Sequence, residues 1–285
     1  LVGSEMCIRD RSSGSIERPI VFGNNDTPGI LLSSAAKEYM KVYGVLVGKK
    51  PLIFTNNDSA YETAIEFKKN GINPIVLDSR KELNSDLITE AKNLGIDIKF
   101  EHVVVNANGY RKVKSADIAK ISEDKTNLGK IENIACDCIC VSGFWTPTIH
   151  LASQSGNKTK FNEDIDAFIP SQSKQNETTV GSANGIFNLN DVLKNSFEAG
   201  YELSKKITSK ENKLSVPAVV EKKNSKHDKF WCVPLPKGKK YKRFLDFQND
   251  VAVSDIELAL REGYRSIEHV KRYTTLGMAT DQGKT

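Results

Sequence analysis

From Pro51 onward the apolar positions switch repeatedly between two periods. "PLIFT" is a short apolar run, "SAYETAIEFKKNG" has helical spacing and stops at Gly71, "NPIVLD" is apolar again, and "RKELNSDLITEAKNLG" is helical and stops at Gly95. Short apolar runs alternating with amphipathic stretches predict a parallel sheet with right-handed crossovers. Upstream, Pro28-Gly29 marks a turn and Ser33 to Tyr43 reads as a helix. Downstream, "IDIKFEHVVVNANGYRKVKSADIAKI" changes to a period of two, with Asn108-Gly109 predicting a hairpin. "KIENIACDCICVSG" then reads as one buried strand ending at a glycine turn.

The next stretch, "NKTKFNEDIDAFIPSQSKQNETT", is polar and predicts a loop, and "VGSANGIFNLNDVLKNSFEAGYELSKKI" predicts a glycine turn opening into a helix near Asn190. Beyond Phe230, Ser254 and Glu257 form a capping-box pattern. Ile256, Ala259 and Leu260 make the inner face of that helix, and Gly263 ends it. A second helix would turn Ile267, Val270 and Tyr273 inward. The pattern divides the chain into a leader at 1–15, a dinucleotide-binding domain at 16–208, a lysine-rich linker at 209–229 and a small helical domain at 230–285. The leader matches nothing that follows and is expected to be foreign to the natural protein.

Composition narrows the partners. The 285 residues carry a net charge of +5, concentrated in blocks such as "EKKNSK" and "PKGKKYKR". Such blocks favour a solvated linker over a nucleic-acid surface. No apolar run reaches the roughly 18 residues a membrane span requires, and the first residues lack a signal peptide's apolar core. A cytoplasmic protein is expected. Five cysteines, an odd number, argue against a disulfide framework. Cys136, Cys138 and Cys140 on an extended strand would sit too far apart to converge on one metal, so buried free thiols are expected.

Two turns could carry chemistry. In the dinucleotide fingerprint the glycine places are held here by Thr55, Asn57 and Ala60, and only Ala60 fits. Asp78 stands about twenty positions on, where it could take ribose hydroxyls. The Asn57 side chain and the Asp58 charge disfavour phosphate, so a relic of the fold is favoured over a working site. In "TTVGSANGIFNL", Gly181, Ala183 and Gly185 leave room for a ligand, with Ser182, Phe187 and Leu189 lining it; a plain strand-to-helix connection remains the alternative. Trp145 and Pro147 are placed in a turn, as ligand wall or packed corner, His150 is expected to be structural, and His269 to face solvent.

Two resemblances attach to these residues. The strand 136–142 ending "SGFWTP", followed later by "VGSANG", is similar to the closing segment of flavoprotein disulfide reductases. More closely, "ERPIVFGNNDTPGILL", "PLIFTNNDSAYETA", "CVSGFWTPTIHLASQSG" and the final stretch from Asp246 resemble the α subunits of heterotetrameric sarcosine oxidase, from about Glu17 to Thr285. The resemblance implies an α/β fold, the FAD/NAD(P)-binding Rossmann-like fold of disulfide-reductase type, incomplete here, followed by a small helical domain. The chain would then be an internal fragment of an oxidoreductase subunit.

That family implies oxidative demethylation of sarcosine to glycine, transfer of the one-carbon unit to tetrahydrofolate, and peroxide formation. NAD belongs to the α subunit, FAD and FMN to the β subunit, and γ and δ subunits complete the assembly. By the resemblance, Gly181, Ser182, Phe187 and Leu189 fall where the subunit closes over NAD. Val180-Gly181-Ser182 replaces the reductases' A-G-D, removing the acceptor for a flavin's ribityl chain. No catalytic residue is expected in this segment. The tail resembles a 2Fe-2S-binding domain without its ligands: "DFQN" stands where a C-x-C pair would be, Asp281 occupies another ligand place, and Cys232 does not replace them. Two other readings stay open, an α subunit of a flavin-dependent amino-acid or opine dehydrogenase, and a scaffold whose nucleotide sites are dead.

Overall fold

The computed structural model describes residues 9–208, 215–217, 219, 223 and 226–280. Two units are distinguished, Leu1–Glu17 with Trp145–Lys222, and Arg18–Phe144 with Lys223–Thr285.

The second unit is built on a parallel sheet. Its elements are β1 (Ile30–Leu32), α1 (Ser33–Tyr43), β2 (Pro51–Thr55), α2 (Ser59–Lys69), β3 (Ile75–Asp78), α3 (Asp86–Asn93) and β4 (Asp97–Phe100). They continue with β5 (His102–Gly109), β6 (Val113–Ile121), β7 (Leu128–Ala135) and β8 (Cys138–Ser142). The parallel strands lie in the order β1-β8-β2-β3-β4, and β5-β6-β7 form a separate antiparallel sheet.

Alternate residues of each parallel strand enter different cores, as a period of two requires. Leu52, Phe54, Leu77, Ile139 and Val141 join the core that contains Val103, Ile118 and Ile121 of the antiparallel sheet. Ile53, Val76, Cys138 and Cys140 face the other way, onto Ala36, Ala60, Ala64 and Ile88 of the helices. Helices thus cover one face and the three-stranded sheet covers the other.

Several elements depart from the sequence expectation. The run 130–142 is two strands, because the Asp137 carboxylate turns aside to accept the Lys49 and Lys50 amides at 2.8 and 2.7 Å. Cys136 therefore enters the core opposite to that of Cys138 and Cys140. All three are buried and outside any disulfide among the described residues. The helix expected from Arg80 begins only at Asp86, where the Ser85 hydroxyl accepts the Ile88 amide.

In the first unit, Trp145 and Pro147 lie in a strand paired antiparallel with Ser15–Glu17, not in a turn. The polar stretch read as a loop contains a hairpin, Thr159–Asn162 with Ala167–Pro170, which buries Ala167 and Ile169 on one face. Arg9–Arg11 pairs in parallel with Glu177–Thr179. The long helix Leu189–Thr208 follows.

The tail holds a short hairpin, Phe244–Asp246 with Val251–Ala252, and two helices, α4 (Val253–Arg261) and α5 (Ile267–Thr274), numbered here within the second unit. The cap of α4 is not the Ser254–Glu257 pair; the Asp255 carboxylate accepts the Ala252 amide at 2.8 Å. Ala259 and Val270 are buried as expected, but Leu260, Ile267 and Tyr273 are exposed, since the helices meet along a narrow seam. His269 is exposed, as expected.

One carboxylate ties this module together. Asp246 is fully buried; its Oδ1 accepts the amides of Gln248 and Asn249, and its Oδ2 accepts the Gly277 amide at 2.8 Å. Asn249 adds a bond to the Thr275 carbonyl at 3.0 Å. The "DFQN" segment is thus bonded to the loop after α5 through side chains that are not thiolates. Asp281 lies outside the described residues. Asp246→Ala strands three amides and is expected to lower stability by about 3 kcal/mol in urea unfolding, given roughly 1–3 kcal/mol for each buried group left unsatisfied. An unchanged midpoint would remove Asp246 from this role.

Candidate functional site

The registers align the carboxyl ends of the central strands, with Ser142 beside Thr55 and Thr55 beside Asp78. In open α/β sheets ligands bind in the crevice outside these ends. Here the chain's own side chains fill the phosphate place. Asn57 Nδ2 donates to the Ser142 carbonyl at 3.2 Å and to Ser142 Oγ at 3.0 Å. Asn57 Oδ1 accepts the Ser59 amide and hydroxyl at 3.0 and 2.6 Å, so the first amide of α2 already has a partner.

The place for a ribose is closed as well. Asp78 accepts Arg80 Nε at 2.9 Å, Arg80 Nη2 at 2.7 Å and the Tyr61 hydroxyl at 2.8 Å. The same Nη2 lies 2.9 Å from Asp58. Burial alone would discourage the Arg80 charge, but hydrogen bonds and charge from Asp78, with Asp58 beside it, hold the guanidinium protonated. Burial, reinforced by Asp78, pushes the Tyr61 hydroxyl well above its ordinary range. Thr55, Asn57 and Asp78 are therefore brought together, but as a satisfied polar core.

Beside this network is an open groove of about 240 Å³ lined by Arg80, Lys81, Glu101, Lys125, His227 and Asp228. Its cations are matched locally: Lys81 with Glu123 at 2.6 Å, and Lys125 with Asp228 at 3.0 Å. The lining, which also includes Lys226 and Glu123, sets four cations against three acids, and Arg80 is itself engaged by Asp58 and Asp78.

The second predicted turn lies in the first unit. Gly181–Asn184 form one 3-10 turn, and Gly181 and Gly185 have φ of +67° and +78°, which side chains rarely adopt. A Cβ on Gly185 would come within 2.9 Å of Ile165, so this glycine serves packing under the turn. The Gly181 amide donates to Asn195 Oδ1 at 3.2 Å, and Asn188 Oδ1 accepts the Asn190 amide at 2.9 Å at the start of the long helix. These donors are in use. Ser182 and Phe187 are half-buried and Leu189 is 57% exposed, so the four predicted residues share one turn-and-helix start. They offer apolar surface and one hydroxyl, and the Gly181 amide is not open to a phosphate.

His150 opens a short helix and is half-buried. Among the described residues no group of three His, Cys, Asp or Glu side chains could hold a metal ion. No helix among them is long and apolar enough to cross a membrane. Sequence reasoning missed Asn56, whose side chain donates to the carbonyls of Asp228 and Phe230 at 2.8 and 3.2 Å. A partner more than 170 positions away leaves no local signal.

The fold is that of FAD/NAD(P)-binding flavoproteins of disulfide-reductase type, followed by a small helical domain. L-proline dehydrogenase from P. horikoshii shares it with a TM-score of 0.58 and 19% identity, over 96% of this chain and 50% of that one. The HOCl-induced flavoprotein disulfide reductase RclA from Escherichia coli gives 0.51 at 13% identity, over 71% and 45%. Residues 240–285 match the sarcosine oxidase A3 domain. Sarcosine oxidase subunit alpha of Corynebacterium sp. strain P-1 is 33% identical over 96% of this chain, and that of Rhizobium meliloti strain 1021 is 34% identical over 96%. Along almost its whole length the chain is similar to sarcosine oxidase α subunits. It spans 29% and 26% of the length of those two relatives.

Two predictions follow from the buried groups. Arg80→Met leaves Asp58 and Asp78 buried without a cation, and urea unfolding should show a loss of roughly 3–5 kcal/mol; a loss below 1 kcal/mol would mean the pair is not desolvated. Burial, then Cys138 and Asp137, push the Cys136 thiol from 9.0 up to about 12. The unfolded chain releases that proton from pH 9 while the folded chain keeps it, so stability falls between about pH 9 and pH 12. Cys136→Ala should flatten this fall in unfolding curves across that range, and an equal slope in both proteins would refute the assignment.

Proposed function

We propose that this chain is the part of a sarcosine oxidase α subunit that contributes an NAD contact and subunit contacts. The whole enzyme would demethylate sarcosine oxidatively to glycine, pass the one-carbon unit to tetrahydrofolate and form peroxide, acting on the CH–NH group of its donor in the cytoplasm. FAD and FMN would sit on the β subunit, with γ and δ subunits completing the assembly. The observation that carries this reading is identity of about one residue in three to sarcosine oxidase α subunits along almost the whole chain.

Gly181, Ser182, Phe187 and Leu189 are the proposed NAD contacts. With the Gly181 amide engaged by Asn195, they would close over the nucleotide mainly by packing, and the pyrophosphate would draw donors from other parts of the subunit. NAD bound there supplies a nicotinamide redox couple; the residues of this chain hold and orient it. No catalytic residue is assigned to the chain, and the 230–285 domain is assigned to subunit contacts.

A scaffold with dead nucleotide sites is the second reading, favoured by the filled crevice around Asn57 and Arg80. Calorimetric titration of the full-length α chain with NAD separates the two. Saturable binding, weakened roughly tenfold (about 1.4 kcal/mol) by Leu189→Asp, supports the contact. An intact chain that takes up no NAD leaves the scaffold. Co-purification with a flavin-bearing subunit tests the assembly, and a full-length chain that stays colourless and alone counts against it.

A further inference from the structure

The crevice at the carboxyl ends of β2 and β3 has an occupant, and it comes from the same chain. Lys226 offers its carbonyl to Arg80 Nη1 at 3.0 Å. The Asp228 amide donates to the Asn56 carbonyl at 2.9 Å, and Asn56 Nδ2 returns a bond to the Asp228 carbonyl at 2.8 Å. That two-way exchange is the pairing of a β-ladder, made with one side chain. The Asp228 carboxylate lies 3.0 Å from Lys125 Nζ.

The segment then runs beside the edge of the unit. Val21 donates to the Trp231 carbonyl and Val233 donates to the Val21 carbonyl, each at 2.8 Å, a parallel bridge. Phe230 and Val233 are 5% and 1% exposed and belong to the core beneath the parallel sheet. His227 stacks on Phe144 with ring centroids 3.9 Å apart and planes within 7°. Earlier in the segment, the Lys223 amide and carbonyl exchange bonds with Asp86 at the start of α3, at 2.9 and 3.1 Å.

We propose that this crevice is a docking groove for the chain's own segment Lys226–Val233, which has replaced a dinucleotide as its occupant and straps the C-terminal helical module to the parallel sheet. The recognition chemistry is that of peptide addition: backbone bonds give affinity and two apolar anchors give register. Residues next to the lost phosphate cradle, rather than those at the missing glycine places, build this groove. Asn56 supplies the ladder groups, and Arg80, held by Asp58 and Asp78, supplies a buried donor to a carbonyl. This inference is independent of the NAD contact at Gly181, which lies in the other unit.

The test is a trypsin time course on the full-length protein, with cut sites read by mass spectrometry. Cleavage after Lys226 and Lys229 should be slow in the wild type and roughly tenfold faster in Asn56→Ala and in Phe230→Ser, because each change raises the population of the open segment. Wild-type rates in both variants would overturn the strap. Should the variants fail to fold, hydrogen exchange on the wild type decides: the Asp228 and Val233 amides should be protected like those of β8, and exchange at the rate of free peptide would overturn it. Millimolar NAD should leave cleavage after Lys226 unchanged in the Leu189→Asp variant, whose contact at Gly181 is weakened. A rate altered by NAD in that variant would show that the crevice still accepts a dinucleotide, and would equally refute the proposal.

Discussion

The Arg80 guanidinium lies between Asp58 at 2.9 Å and Asp78 at 2.7 Å, and all three side chains are nearly inaccessible to water. Two carboxylates at the ends of adjacent strands would repel one another and lose their hydration on burial. A single planar cation offsets both costs, and its fork geometry lets one residue reach both acids. The loop after β2 and the turn after β3 are thereby locked into one piece. Tyr61 donates to the same Asp78 Oδ2 that Arg80 Nη2 reaches and brings the first turn of α2 into the same network.

That lock determines what the edge of the sheet can do. A dinucleotide fold needs open amides at a helix N-terminus and a carboxylate free for ribose. Here Asn57 takes the amide of Ser59 and Arg80 takes Asp78. The surplus donors, Asn56 Nδ2 and Arg80 Nη1, point to backbone carbonyls of residues 226–230. The helical module is tied on by a second asparagine, since Asn25 exchanges two bonds with the Phe244 backbone at 2.9 and 2.8 Å. Both Asn-Asn pairs of the sequence thus serve attachment of the tail. Within the module, Asp246 joins two loops by accepting backbone amides.

Much of the framework was legible because it is local and periodic. The strands Pro51–Thr55 and Ile75–Asp78, the helices α1 and α2, and the β5–β6 hairpin follow from apolar period and glycine stops. The errors arose where a distant partner overrode the local pattern. Asp137 breaks an otherwise continuous apolar run because two amides nearly ninety positions upstream require its carboxylate. The polar stretch after Asn157 forms a hairpin because Ala167 and Ile169 find an apolar face to cover. Leu260 and Ile267 are exposed because helical periodicity identifies an apolar stripe but not how wide a partner will cover it.

By itself the sequence determined the parallel α/β architecture, the burial of Cys136, Cys138 and Cys140, and the loss of a phosphate cradle at Thr55-Asn56-Asn57-Asp58, since all three depend on residue type and short spacing. Only the tertiary structure decided what those polar residues do instead. Buried polar groups must find partners wherever the fold supplies them, and the partners of Asn56, Asp58 and Arg80 come from segments that meet only when the chain is folded.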